Sequence, residues 1–310
     1  MPSTDPSRKP LVAIVGPTAV GKSALALFLA RRFDGEIVNA DSRQVYRRMD
    51  IGTAKPSLEE RRQVPHHLID ILDPDQEFSL QVFLKRAREA INDICSRNKL
   101  PLLVGGTGQY IWALLEGWCP PKAAPDHGLR ARLQAMGADG LFRELERVDP
   151  ESAASIGPHN VRRLVRALEV YHRTGLPFSQ ARRKSSPEYD PLVLGLTAPR
   201  PELYRKIDNR IDIMVESGWV EEVKTLLEQG YAPDLPSMSS VGYAELASHL
   251  QGEISLEEAV RRAKHRTHRF ARHQYAWFRL RDPRIHWLES APGAEMVAEA
   301  LVREFLDAQL

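Results

Sequence analysis

A parallel α/β sheet flanked by helices, carrying an inserted all-helical domain, is the fold class that three features of the sequence predict. The continuous apolar run Leu11-Val12-Ala13-Ile14-Val15 is bounded by glycine and reads as a strand buried on both faces. A glycine-rich turn follows it and opens a helical pattern. Beyond Pro120, Pro121 and Pro125, the next sixty or so residues hold mostly helical patterns before strand character returns.

Taken in order, residues 1–10 are polar and read as a disordered lead-in. A helix over Ser23 to Phe33 places Leu25, Leu29 and Ala30 on one side and Arg31 and Arg32 near its C-terminal end, where the helix dipole favours cations. Glu36-Ile37-Val38-Asn39-Ala40 is a second strand. A helix over Leu80 to Ser96 leads to a third buried strand, Pro101-Leu102-Leu103-Val104, which stops in Gly105-Gly106-Thr107-Gly108. Amphipathic stretches around Gly128 to Met136 and Gly140 to Val148, then a basic helix over Val161 to Arg173, fill the insertion. Strand character resumes at Pro191-Leu192-Val193-Leu194-Gly195-Leu196, and from Glu202 on the chain reads as helical. Residues 11–123 and 190–310 are therefore assigned to the α/β core, and 124–189 to the helical insertion.

The chain has 310 residues, 43% hydrophobic and 27% charged, which suits a globule and not a fibrous or disordered protein. Cys95 and Cys119 are its two cysteines, too few for a disulfide framework, so a reducing compartment is expected and the cytoplasm is the default. No apolar run approaches the roughly 20 residues of a membrane span. The net charge of +2 conceals an uneven distribution. Arg261 to Arg284 carries +8 and Val161 to Lys184 carries +6, which leaves −12 on the rest. Two concentrated basic segments on an acidic protein point to a polyanion, most simply a nucleic acid.

Chemistry enters with Gly16, Pro17, Thr18, Ala19, Val20, Gly21, Lys22 and Ser23, which match G-x-x-x-x-G-K-[ST] directly after a strand and at the start of a helix. The sheet is thus of the P-loop NTPase-like kind. Glycines let backbone N–H groups close around phosphate oxygens, Lys22 adds a point charge, and Ser23 offers a hydroxyl to phosphate or Mg²⁺. Ligands of such sheets sit beyond the strand ends, where Asp41 falls. Asp41 suits a Mg²⁺ ligand, a general base, or the N-cap of a following helix. The third strand ends in Gly-Gly-Thr and not in an acid, which makes a simple ATPase a poor fit.

Several strings resemble the tRNA dimethylallyltransferase family, also called IPP transferases. They are the phosphate loop, Asn39-Ala40-Asp41-Ser42-Arg43-Gln44-Val45-Tyr46, Met49-Asp50-Ile51-Gly52-Thr53-Ala54-Lys55-Pro56 and His66-His67-Leu68-Ile69-Asp70. Val104-Gly105-Gly106-Thr107-Gly108, Arg166-Ala167-Leu168-Glu169-Val170, Val241-Gly242-Tyr243 and Trp277-Phe278-Arg279 follow in the family's order. The resemblance implies transfer of a dimethylallyl group from dimethylallyl diphosphate to N6 of the adenosine 3′ of the anticodon; Mg²⁺ is expected as cofactor from the chemistry of the departing diphosphate, since no all-protein cage for it is apparent. It further implies that the phosphate loop holds the departing diphosphate, that Asp41 takes the amine proton, that Thr107 lies near the reacting centre, and that Arg210 reaches the diphosphate.

By the same resemblance, Asp41, Ser42, Arg43 and Gln44 touch the flipped base and its neighbours. The stretch Arg162, Arg163, Leu164, Val165 and Arg166 contacts the anticodon stem-loop. In the second basic segment Arg262, Arg266, Arg269 and Arg272 recur on one helical face, with Arg269 and Arg272 assigned to tRNA. The interleaved Phe270, Tyr275, Trp277 and Phe278 are expected mostly in the core. Ala244, Glu245 and His273 depart from the family pattern, which puts a local tRNA contact there in question. The zinc finger of eukaryotic relatives is absent, which favours the bacterial type. His66 and His67 lack the spacing that would complete a metal site. A monomer without a protein partner or a membrane contact is expected. Alternatives within the fold are an adenylate isopentenyltransferase and a small-metabolite kinase. A non-catalytic RNA-binding module is the alternative of another class.

Overall fold

The computed structural model describes residues 8–121 and 123–309. The lead-in assigned to residues 1–10 lies mostly outside the described residues. Its last two members, Lys9 and Pro10, belong to the first strand, because they pair with Tyr189 and Asp190 far along the chain.

The first part of the chain forms β1 (Lys9–Val15), α1 (Lys22–Arg32), β2 (Gly35–Asn39), α2 (Leu58–Gln63), β3 (His66–His67), α3 (Leu80–Ser96), β4 (Leu100–Val104) and α4 (Gly108–Leu115). Next come β5 (Trp118–Cys119), α5 (His127–Gln134), α6 (Gly137–Val148), α7 (Pro150–Ile156), α8 (Val161–Thr174), α9 (Phe178–Ala181) and β6 (Arg183–Lys184). The rest is β7 (Tyr189–Thr197), α10 (Arg200–Glu216), α11 (Trp219–Glu228), α12 (Tyr243–Leu250), α13 (Leu256–Trp277), β8 (Ile285–Glu289) and α14 (Ala294–Asp307).

Two compact units result. The first comprises residues up to Leu115 and from Pro187 on. It is built on a parallel six-stranded sheet in the order β3-β2-β4-β1-β7-β8. The central strands are apolar on both faces, as a sheet covered by helices requires: Leu11 to Val15 and Leu102 to Leu103 have no exposure. Its edge strand β8 is a correction to the helical reading of the last third. Ile285–Glu289 is short and only partly buried, so its run of apolar residues is too weak to read alone and depends on pairing with Val193 to Thr197.

The second unit runs from Glu116 to Ser186, not 124–189. Its boundaries move because the chain enters and leaves through a two-stranded antiparallel ribbon that pairs Trp118 with Lys184 and Cys119 with Arg183. For the same reason the unit is not all-helical. Its core gathers Leu133, Leu141, Leu145, Ala153, Leu164, Val165 and Leu168 from four helices. Capping explains where α8 lies: the Asn160 side chain accepts the Arg163 N–H, and Gly175, with φ 71°, ends the helix in a left-handed turn. No helix among the described residues is long and apolar enough to cross a membrane.

Candidate active site

The phosphate loop leaves β1 at Gly16, whose φ is 140° and whose place a Cβ could not share, since it would stand 2.4 Å from the Leu196 carbonyl oxygen. Gly21 begins α1 in the left-handed region and supplies no capping side chain, so the first N–H groups of α1 are left for a ligand. Lys22 Nζ donates to the Pro17 carbonyl at 2.7 Å. Burial lowers its pKa to about 8; the nearby Asp41 carboxylate opposes that shift and the Arg210 guanidinium adds to it. A cation held at such a cost is poised for an anion.

Arg210, on α10, donates from Nη2 to the Thr18 hydroxyl at 2.6 Å. Its Nε is buried and has no partner among the described residues. An unpaired guanidinium N–H in the interior is costly unless something else completes it. Arg210 and Lys22 line, with Thr18, Ser23, Asn39 and Asp41, a cavity of about 350 Å³.

Opposite the loop stands Asp41, just past the end of β2. Asn39 fixes that end: its Oδ1 accepts the Asp41 N–H at 3.0 Å, and its Nδ2 donates to the Leu68 carbonyl at 3.1 Å and the Asp41 carbonyl at 3.2 Å. Asp41 Oδ1 accepts the Arg43 N–H at 2.8 Å, and its second oxygen has no hydrogen-bond partner among the described residues. The N-cap reading of Asp41 is corrected, because turns and not a helix follow; the carboxylate closes a local Asx turn. Thr107 reaches the same corner, its hydroxyl accepting the Ser42 N–H at 3.1 Å.

Arg43 Nη1 donates to the Pro236 carbonyl at 2.5 Å, and Gln44 Nε2 to the Thr53 and Ala54 carbonyls at 3.0 and 3.1 Å. The loop that Gln44 grips borders the cavity at Thr53, Ala54 and Pro56. Lys55, whose side chain is 1% exposed, stitches that loop by donating to Asp50 and Asp70 at 2.5 and 2.6 Å. Burial alone would raise the Asp70 pKa, but Lys55 and Arg61 outweigh it and the carboxyl ends below its ordinary value. His66 lines the cavity with Nδ1 bonded to the Val64 carbonyl, and His67 Nε2 bonds Glu36.

The nucleic-acid candidates divide sharply. Arg162 and Arg163 are exposed on the first turn of α8, with no side-chain partner among the described residues. Leu164 and Val165 correct the expectation of direct contact, because both side chains are buried in the core of the second unit. Arg166 is half-buried and donates to Glu169 at 2.5 Å and to the Ala123 carbonyl at 3.1 Å. On α13, Arg269 is exposed and without a partner among the described residues, and Arg272 donates to the neutral Tyr204 hydroxyl at 2.7 Å. Arg262 pairs with Glu258 and Arg266 with Glu245. The basic segments are therefore less positive in space than in sequence, since acids from elsewhere in the chain face them. Phe270 and Trp277 are exposed, contrary to the expected core placement; Phe278 alone of the four is fully buried.

Three residues that shape the site were not read from the sequence. Gln274, on α13, accepts the Thr18 N–H at 2.7 Å and donates to the Gly106 carbonyl at 3.1 Å. Asn39 sets the end of β2. Glu222, on α11, accepts the N–H groups of Asp50 and Ile51, each at 2.7 Å, and of Gly52 at 3.2 Å, and also the Tyr243 hydroxyl. Gln274 and Glu222 act on partners far away in the chain, which no local spacing marks, whereas Asn39 holds its near neighbour Asp41 together with the distant Leu68 carbonyl. Glu245, a departure from the family pattern, is buried, accepts the Gly242 N–H at 2.7 Å and pairs with Arg266.

Comparison with known proteins places this geometry. The chain is 55% identical over 303 residues to the tRNA dimethylallyltransferase of Roseiflexus castenholzii, covering 96% of this chain and 99% of that one. Among solved structures, the full-length tRNA isopentenylpyrophosphate transferase of Bacillus halodurans is 39% identical, covers 97% of this chain and 98% of its own, and superposes with a TM-score of 0.74. A eukaryotic dimethylallyltransferase described as acting on tRNA is 30% identical, with a TM-score of 0.86 over 97% of this chain and 80% of its own. Residues 44–281 match the model of the family described as IPP transferase. The phosphate loop, the carboxylate facing it and the parallel sheet that presents both thus belong to a transferase, and the chain is a member of the IPP transferase family.

Proposed function

We propose that this protein transfers a dimethylallyl group from dimethylallyl diphosphate to N6 of the adenosine immediately 3′ of the anticodon in tRNA, releasing diphosphate. The observation that carries the reading is the shared cavity of Lys22, Arg210 and Asp41, two partly buried cations facing one carboxylate. The diphosphate lies in the loop from Gly16 to Ser23, where Lys22, Arg210 and the N–H groups of α1 neutralise it. Asp41 accepts a hydrogen bond from the exocyclic amine and takes its proton as the new C–N bond forms. That amine is a poor nucleophile because its lone pair is delocalised, so proton removal during attack assists it. Thr107, bonded to the Ser42 N–H, keeps the acceptor side in register with the loop.

Ser23 is exposed at the start of α1, and its hydroxyl would hold Mg²⁺, an ion that takes few protein ligands in phosphate sites. When bound, Mg²⁺ supplies charge neutralisation of the leaving diphosphate. For tRNA, Arg162 and Arg163 of the second unit and Arg269 and Arg272 of α13 grip backbone phosphates, and Ser42, Arg43 and Gln44 meet the flipped base and its neighbours.

The test is mass analysis of unmodified tRNA incubated with the protein, Mg²⁺ and dimethylallyl diphosphate, with AMP as a competing acceptor and ATP as a competing donor. A prenyl-sized gain on the adenosine beside the anticodon supports the reading. Prenylation of AMP alone, or transfer only from ATP, overturns it.

A further inference from the structure

Gln274 is 3% exposed and lies between the two halves of the site. Its amide orientation is set by chemistry. The Thr18 N–H needs an acceptor and the Gly106 carbonyl needs a donor, so Oε1 faces the loop at 2.7 Å and Nε2 faces the turn at 3.1 Å. Thr18 is the residue whose hydroxyl receives Arg210, on the diphosphate side. Gly106 precedes Thr107, whose hydroxyl receives Ser42, on the Asp41 side.

We propose that Gln274 is a positioning residue for the transfer reaction: one amide, held by Thr18 and Gly106, sets the separation of the leaving group from the acceptor amine. The inference rests on the function proposed above. It explains two features that packing alone does not. First, a Cβ at Gly106 would stand 2.1 Å from Gln274 Nε2, so that turn admits no side chain while the amide is in place. Second, the Thr18 N–H is occupied by Gln274, so the loop keeps one shape instead of turning that donor toward whatever enters. A phosphate loop that slid relative to the Gly-Gly-Thr turn would still bind each substrate, but the reacting atoms would meet out of line.

The test compares single-turnover transfer, tRNA affinity and thermal midpoint for wild type, Gln274→Met, Gln274→Glu, Gly106→Ala and the Gln274→Met/Gly106→Ala double variant. Gln274→Met has nearly the same volume and removes both hydrogen bonds; the expected result is a rate about 100-fold lower with tRNA affinity within about twofold of wild type. Gln274→Glu keeps the acceptor for the Thr18 N–H and loses the donor, so its loss is smaller, about 10-fold. Gly106→Ala should lose as much as Gln274→Met, and the double variant no more than either, because each unseats the same amide from Thr18 and Gly106. Folded variants that retain the wild-type rate, or single losses that multiply in the double variant, would overturn the proposal. A wild-type protein that fails to prenylate tRNA would instead overturn the function on which it rests.

Discussion

Arg210 and Thr18 stand 192 residues apart in the chain and 2.6 Å apart in the fold. That bond hands a cation from α10 to a loop that already owns Lys22, and it leaves Arg210 Nε buried without a partner among the described residues. Arg210→Lys keeps the charge and loses the planar fork. Steady-state kinetics should show kcat/KM for the diphosphate donor lowered by about 100-fold, and a variant within about twofold of wild type would remove Arg210 from the diphosphate site.

Lys22 gives the site a pH dependence whose sign follows from its pKa. Anion binding favours the charged form. With a pKa of about 8 in the unliganded protein, binding above that pH must take up a proton. The donor KM should therefore rise above pH 8, by up to about tenfold per pH unit, and stay flat below it.

Stability runs the other way. The folded pKa of Lys22 is below its ordinary value of 10.5, so its penalty on the unliganded fold is complete below pH 8 and fades as pH rises toward 10.5. Lys22→Met should raise the thermal midpoint at pH 7 while abolishing transfer. A lower midpoint would mean that the bond to Pro17 outweighs the cost of burying the charge.

Asp41→Asn keeps an acceptor for the Arg43 N–H and removes the base. Single-turnover transfer should fall by about 1000-fold, with tRNA binding nearly unchanged. Equal losses in both would make Asp41 a recognition residue instead.

Glu169 has no exposed surface in the second unit, and it joins Arg130, Arg166 and the Asp126 N–H. Glu169→Gln leaves two half-buried guanidinium groups short of a countercharge. It should destabilise that unit by about 3 kcal/mol, read by hydrogen exchange over residues 127–174.

Salt dependence separates free from paired arginines. Replacing Arg162 and Arg163 with alanine should lower the slope of log affinity against log salt by about 2. Arg266→Ala should change that slope little, because Arg266 already answers Glu245; its cost should appear as a lower thermal midpoint.

Much of this is legible in the sequence alone. The parallel sheet announced itself because Leu11 to Val15 and Pro101 to Val104 are uniformly apolar, and the phosphate loop because its spacing and its strand–helix context are both local. Asp41 was visible as a strand-end acid. What stayed hidden was long-range: Gln274 reads as one polar residue on a basic helix until Thr18 and Gly106 are seen on either side of it. The charge of α13 is hidden for the same reason, since Glu245 and Asp212, which face Arg266 and Lys264, lie outside residues 261–284. Leu164 and Val165 lie within the tRNA stretch in sequence but face inward, because α8 packs its apolar side on the core of the second unit.

The ribbon that opens and closes the second unit bears on how the chain folds. β1 cannot pair with β7 until Lys9 finds Tyr189, the longest search in the central sheet. Loop-closure entropy grows with the length of free chain between partners. A segment that collapses on its own core, and whose two ends are zipped at Trp118 and Lys184, subtracts itself from that length. The insertion thereby shortens the search its own presence created, and its size could change without moving a single hydrogen bond of the sheet.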